Sequence, residues 1–366
     1  MQKDFHFATT YTLARLAGFD KNQAEIISTS SQYIDDATHS GKILFKNRAG
    51  YQFFSSAHKM LDYRNFKELA NHYSWIPFHF LPGNITDDPL FEGADPFIQK
   101  LICQPNSMVA KLMVEKTIQK KHKRYSLYQL GIAMHVYADT WAHQKFCGIS
   151  HKVNDVGDIL DIQNNLHEHH YRAKKYFKKS LWKRFISWLV GEVQPLGHGP
   201  ALSMPDKPYA KWQYINFQGL KVTRDNTEIY MDAVDKLFSA LVAYKNGESN
   251  VKPTSLLVKD RENIYRYLSE FTSDDEEERT NQWIEKIAAG NFSFGAETPI
   301  YKGAGSDSWY NKLNIILPKK LESKTEDAHY SNDFLTSDWK LFHDALVDHR
   351  AMILHEILPT FKITVA

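Results

Sequence analysis

The segment HVYADTWAH sets His135, Asp139 and His143 at successive four-residue intervals. In a helix that advances about 100° per residue, the three side chains fall within roughly 80° of one another and share a face. Imidazole and carboxylate groups are ordinary ligands of metal ions. The two histidine Cα positions would lie roughly 12 Å apart along the axis. A single tetrahedral ion with bonds of about 2 Å does not easily span that gap. The spacing therefore fits two neighbouring ions, with His135 on one, His143 on the other and Asp139 between them. The competing reading is a solvated polar stripe, with Met134, Val136 and Trp141 on the buried side.

Further His and Asp residues stand where a helical metal site would need them. They are His6 near the N-terminus, the pair Asp35 and Asp36, His58 in SSAHKMLD, His79 in WIPFHFLPG, and His198 with Asp206 in LGHGPALSMPD. Asp35 and Asp36 end a predicted helix, where a negative charge opposes the macrodipole and asks for a nearby cation. His79 lies among aromatic residues and reads equally as a ligand or as a satisfied structural side chain. The glycines flanking His198 allow backbone conformations that aim an imidazole into a cavity, though GHGP also reads as an ordinary turn. Only Cys103 and Cys147 are present, which excludes a zinc ribbon and a disulfide framework, so a metal would be held by His and carboxylates.

The elements that would position these residues are helical. Asp20 with Gln23 forms a capping-box signature for a helix reaching Tyr33. Helical periodicity continues over Asn106 to Lys121, Ser126 to Gly148, Asn165 to Val190, Thr223 to Lys245, Asp275 to Ala289 and Asp338 to Leu358. Strand signals are scarce, so the expected fold class is all-α. Irregular stretches at 77 to 95, 191 to 211 and 291 to 335 interrupt it. The expected organisation is a helical core over 1–215 and a C-terminal helical portion over 216–366, within the same domain or beside it.

The 366 residues are 43% hydrophobic, 13% aromatic and 24% charged, ample for a buried core and too apolar for disorder. With 45 Lys+Arg against 43 Asp+Glu, the net charge of +2 gives no bulk field for nucleic acid or acidic membranes. No run approaches the roughly eighteen apolar residues of a transmembrane helix. The start, MQKDFHFATTYTLARLAGF, lacks a leader-type apolar region. The expected location is cytoplasmic, or exported without a cleaved N-terminal signal.

Taken together, HFATTYTLARLAGF, SQYIDDAT, PFHFLPG, HVYADTWAHQKFCG and GHG followed by PD resemble a bacterial and fungal group of zinc-dependent phospholipase C enzymes. That group is similar to the superfamily of secreted zinc phospholipases C and single-strand-specific zinc nucleases. The resemblance covers about residues 1–215. It implies a helical fold with a cleft holding two or three zinc ions that hydrolyses phosphoester bonds. Carried over, Asp36 or Asp35, His58, His135 and Asp139 would hold one zinc. His143, His198 and Asp206 would hold a second, and His6 with bridging Asp139 a third. A carboxylate at Asp35 or Asp36 left free of metal would accept the proton of the attacking water. The family's second motif, a histidine followed four positions later by an acid, is matched after His143 only by His151 and Asp155 in a predicted loop. The secreted relatives also use the amino group of an N-terminal tryptophan as a ligand, where this chain begins MQKDFH; the Met1 amine or Asp4 would take that place.

The segment 167–190, HEHHYRAKKYFKKSLWKRFISWLV, interleaves seven Lys and Arg with large aromatic and aliphatic residues. Such a helix suits peripheral contact with an anionic lipid surface, or it is a core helix with a solvated basic face. The expected substrate is a glycerophospholipid, cleaved to diacylglycerol and a phosphorylated head group, with no stable nucleic-acid partner. The rivals are a nuclease or phosphomonoesterase on the same zinc cluster, and a non-enzymatic binding or effector protein that zinc stabilises.

Overall fold

The computed structural model describes residues 1–57, 68–85, 94–162, 196–313, 330 and 332–365. His58 and the basic segment 167–190 lie outside the described residues. A wide-turn helical segment, Asp4–Thr9, runs without a break into α1, Thr10–Leu16, and both are buried along most of their length. α2, Lys21–Asp36, starts at the capping box: Asp20 accepts from the Gln23 N–H at 2.9 Å, and the Gln23 side chain accepts from the Asp20 N–H at 3.3 Å. The hairpin β1 (Gly41–Leu44) and β2 (Gly50–Phe53) follows, then α3 (Glu68–Phe78) and α4 (Pro96–Leu101). α5, Met108–Gln119, is capped by Ser107, whose hydroxyl accepts from the Ala110 N–H. α6, Ser126–Ala142, is buried at every position from Tyr128 onward, so it is the central helix of the fold.

The second half adds β3 (Leu160–Asp161), β4 (Lys211–Ile215) and β5 (Lys221–Asp225), then α7 (Asn226–Asn246), α8 (Val258–Glu270), α9 (Glu276–Ala288) and α10 (Asp338–Ala351). The fold is predominantly helical, with 55% of the described residues in helices. The helical expectation holds, and two small antiparallel sheets that it did not include are added to it. In β4 and β5, Trp212, Tyr214, Val222 and Arg224 alternate inward, a period of two over only five residues. Pairing of Lys221–Asp225 with Lys211–Ile215 also moves the start of α7 from the expected Thr223 to Asn226.

The main apolar cluster joins Phe5, Phe7 and Tyr11 to Val136 and Trp141 of α6, Tyr230 and Leu237 of α7, Trp283 of α9 and Ile357 near the C-terminus. Residues on both sides of position 215 therefore share one core. A second cluster, with Ile34, Phe53, Trp309, Trp339 and Phe342, packs α10 against the end of α2. A third, with Phe80, Phe146, Met204 and Trp212, seats β4 beneath the loop that carries His198 and Asp206. Among the described residues no helix is long and apolar enough to cross a membrane.

Candidate metal centre

The site forms where α2 ends against the middle of α6. At Gly131 the two helices touch closely: a Cβ there would sit 2.3 Å from the Ile27 carbonyl oxygen and 2.6 Å from Ser30 Cβ. That approach brings Asp35 to one turn beyond Gly131, with its Oδ1 3.9 Å from His135 Nε2 and 3.8 Å from His79 Nδ1. His135 and Asp139 are fully buried, so the α6 face is not a solvated stripe.

Asp139 is the hub, and its two oxygens face different groups. Oδ1 lies 2.7 Å from the Met1 amino nitrogen and 3.2 Å from His6 Nε2. Oδ2 lies 3.2 Å from His135 Nε2, 3.3 Å from His79 Nδ1 and 3.6 Å from His143 Nδ1. Beyond His143, Asp206 spans to the next imidazole, with Oδ1 3.3 Å from His143 Nε2 and Oδ2 3.4 Å from His198 Nε2. Among the described residues three groups result that are able to hold a metal ion: His6, Asp35 and His135; His79, His135 and Asp139; and His143, His198 and Asp206.

The hydrogen bonds fix which nitrogen of several histidines carries its proton. His79 Nε2 lies 3.2 Å from the Ser56 carbonyl, His143 Nδ1 2.6 Å from the His79 carbonyl, and His198 Nδ1 3.0 Å from the Leu202 carbonyl. A carbonyl oxygen only accepts, so each of these nitrogens donates. In the neutral ring the other nitrogen then bears a lone pair, and in all three it is aimed at a carboxylate oxygen. Lone pair facing carboxylate is repulsive unless a cation lies between. His6 adds two buried ring nitrogens, and His135 its buried Nδ1, without hydrogen-bond partners. In His79, His143 and His198 the pairing of one N–H tied to the backbone with a second nitrogen pointing inward matches how imidazole ligands of a metal are oriented. The donor set of nitrogen and carboxylate oxygen suits zinc.

Electrostatics run the same way. Burial pushes His6 and His79 down, and takes His135 and His198 down to about 4, so these rings are neutral. Burial disfavours charge on Asp139, but His143, the Met1 ammonium, His135 and His6 more than offset it and hold the carboxyl well below its usual range. Burial likewise opposes the Asp206 charge, and His198 and the Met1 ammonium outweigh it. Asp35 goes the other way, pushed up by burial and by the Asp139 charge. The Met1 amine is lowered by burial yet raised further by Asp139, Asp206 and Asp35, to about 11. In the metal-free chain a buried ammonium therefore stands where carboxylates converge.

The loop bearing His198 depends on Gly197. Its φ is +54°, and a Cβ would meet the Phe80 ring at 2.4 Å. Phe80 in turn stacks on His143, with ring centroids 4.5 Å apart. Asn226, at the start of α7, donates through Nδ2 to the carbonyls of Met204 and Lys207, and Tyr230 donates to that of Pro205, fixing the turn that carries Asp206.

Of the residues singled out in the sequence, His6, Asp35, His79, His135, Asp139, His143, His198 and Asp206 come together. Asp36 does not: its carboxylate accepts from the Tyr301 hydroxyl and lines a neighbouring cavity of about 630 Å³ with Tyr33, Phe53 and Trp339. Asp4 is held by Arg279, and the Met1 amine, the other candidate, lies against Asp139. His151 caps a short 3-10 turn, its Nδ1 accepting from the Val153 N–H. The carbonyls of Ser56, His79 and Leu202, which orient the rings, carry no side-chain signal. Cys103 and Cys147 are both buried free thiols.

Fold and site thus define a helical protein with clustered His and Asp groups able to coordinate metal ions. A model described as a family of unknown function (DUF6765) matches residues 1–357, and the chain belongs to that family. No curated protein and no solved structure matches it.

Proposed function

We propose that this chain is a zinc-dependent phosphodiesterase of phospholipase C type, cleaving glycerophospholipids to diacylglycerol and a phosphorylated head group. The observation that supports it most is the set of imidazole lone pairs aimed at the carboxylates of Asp139 and Asp206, an arrangement that a group of cations between them makes favourable. His79, His135, Asp139 and Asp35 would hold one ion, His143, His198 and Asp206 a second, and His6, Asp139 and the Met1 amine a third. Bound zinc would supply Lewis-acid stabilisation of phosphoryl oxygens and acidify water towards neutral pH.

The chain's own residues then do the rest. Asp35 has the most exposed carboxylate of the cluster, at 33%, against 14% for Asp206 and 1% for Asp139, so water and substrate approach on its side. The Asp35 oxygen left free of the ion would accept the proton of the attacking water. Asp139 and Asp206 keep their charge and hold the rings in place. The aromatic-walled cavity beside Asp36 offers room for the organic portion of the substrate.

The test is release of diacylglycerol from phosphatidylcholine and phosphatidylglycerol vesicles by purified protein. Release is expected to stop on chelation and return with zinc. Degradation of single-stranded DNA or RNA with phospholipids left intact would replace the lipid assignment by a nuclease. Full zinc loading with no phosphoester turnover would favour a non-enzymatic binding role.

A further inference from the structure

Helix α9 supplies none of the metal-holding groups among the described residues, yet its first turns grip the segment that delivers Met1. Arg279 Nε donates to Asp4 Oδ2 at 2.6 Å, and its other nitrogens donate to the Gln2 side-chain oxygen and the Ser273 carbonyl. Glu276 accepts from the Lys3 backbone N–H at 3.2 Å, and Glu277 pairs with Lys3 Nζ. Residues 2, 3 and 4 are thus each bonded to α9, and the residue before them carries the amine beside Asp139.

The contacts differ in weight. Lys3 pairs with a Glu277 that is 58% exposed, where solvent and salt screen the attraction. Arg279 and Asp4 are buried, and the guanidinium donates to Gln2 and Asp4 on the N-terminal segment while the Ser273 carbonyl, just ahead of α9, holds its third nitrogen. Chain termini fray unless something ties them down. Here the terminus must also place an ammonium, itself costly to bury, between the carboxylates of Asp139 and Asp206. Arg279 fixes the direction of residues 2–4 through a planar fork, which a lysine cannot reproduce.

We infer that Arg279 is a positioning residue for the metal centre: by clamping Gln2 and Asp4 it holds the Met1 amine between Asp139 and Asp206. Helix α9, which follows the last of these ligands, Asp206, in sequence, thereby controls whether the amine position is filled. The metal arm of this inference rests on the proposed metal centre; the amine arm does not.

The test compares native protein with Arg279→Met and with the double variant Asp4→Asn/Arg279→Met, which leaves no unpaired buried charge. In metal-free protein, the Met1 α-amine is acylated with an N-hydroxysuccinimide ester and its labelling rate is read by mass spectrometry of the N-terminal peptide. Native protein is expected to protect the amine, and the variants to lose that protection at least tenfold while circular dichroism stays unchanged. Arg279→Lys is expected to fall between. Zinc-loaded variants are expected to retain one ion fewer than native protein. Should the Arg279 variants fail to fold, Gln2→Leu carries the test with a smaller gain in labelling. Folded variants whose amine stays as protected as in native protein overturn the inference. Native protein that binds no zinc overturns the metal-centre reading, and the labelling result alone then decides the clamp.

Discussion

The amino nitrogen of Met1 lies 2.7 Å from Asp139 Oδ1, across 138 positions of sequence and out of contact with solvent. An ammonium in that position is held by charge and also occupies space. A short extension ahead of Met1 replaces it with a neutral amide and inserts chain where none fits. Breaking a buried ion pair of this kind costs about 3–5 kcal/mol. Denaturant unfolding of metal-free protein with and without a Gly-Ser extension checks this, and equal stability would show that the amine contributes nothing.

Asp139 serves two sets of partners through its two oxygens, whereas His6 and His143 each face one side. Asp139→Asn is therefore expected to release more zinc than either His6→Ala or His143→Ala. Native mass spectrometry of the three variants counts the ions. Full retention by Asp139→Asn, or a loss no larger than that of the single-sided histidines, contradicts the bridging role.

Gly131→Ala tests the contact that brings α2 to α6. The added methyl meets the Ile27 carbonyl at 2.3 Å, backbone that cannot move aside cheaply. Overpacking of this type costs about 1–3 kcal/mol. The displacement also separates Asp35 from His135, so zinc affinity should drop with stability. An unfolding midpoint equal to that of native protein would show that the helices adjust freely.

Acid sensitivity follows from two histidines outside the metal centre. Burial takes His343 down to about 3, and His349 down to about 4, in the folded chain. Both regain an ordinary value of about 6.5 on unfolding. Below that value the unfolded chain binds protons that the native chain refuses, so stability is complete above about 6.5 and is lost as pH falls towards 3–4. The slope is about 1.4 kcal/mol per pH unit for each group. His343→Phe should flatten the dependence between pH 6 and 4 in denaturant titrations; an unaltered slope would contradict the assignment.

What the sequence made legible follows from where the physics is local. The Asp20 capping box and the spacing of His135 and Asp139 depend on a few neighbouring residues and stand in the structure as expected, whereas the helix ends at Ala142 with His143 as its C-cap and does not run on to Gly148. The choice between Asp35 and Asp36 is different. Both end the same helix, and only the direction of each side chain against His135 or Tyr301 separates them. The strands Lys211–Ile215 and Lys221–Asp225 were hidden because five residues give too few alternations to stand out from helical periodicity. Arg279 gave no signal at all in EEERT, since its role comes from Gln2 and Asp4 at the other end of the chain.

The central claim is that the carboxylates of Asp139 and Asp206 and the imidazoles around them hold several metal ions. A crystal of zinc-loaded protein, with anomalous data collected on both sides of the zinc absorption edge, tests it most directly. The account predicts two or three zinc peaks, two of them contacted by Asp139 and one by His143, His198 and Asp206. A map from fully folded protein in excess zinc with no anomalous peak among these side chains would contradict it.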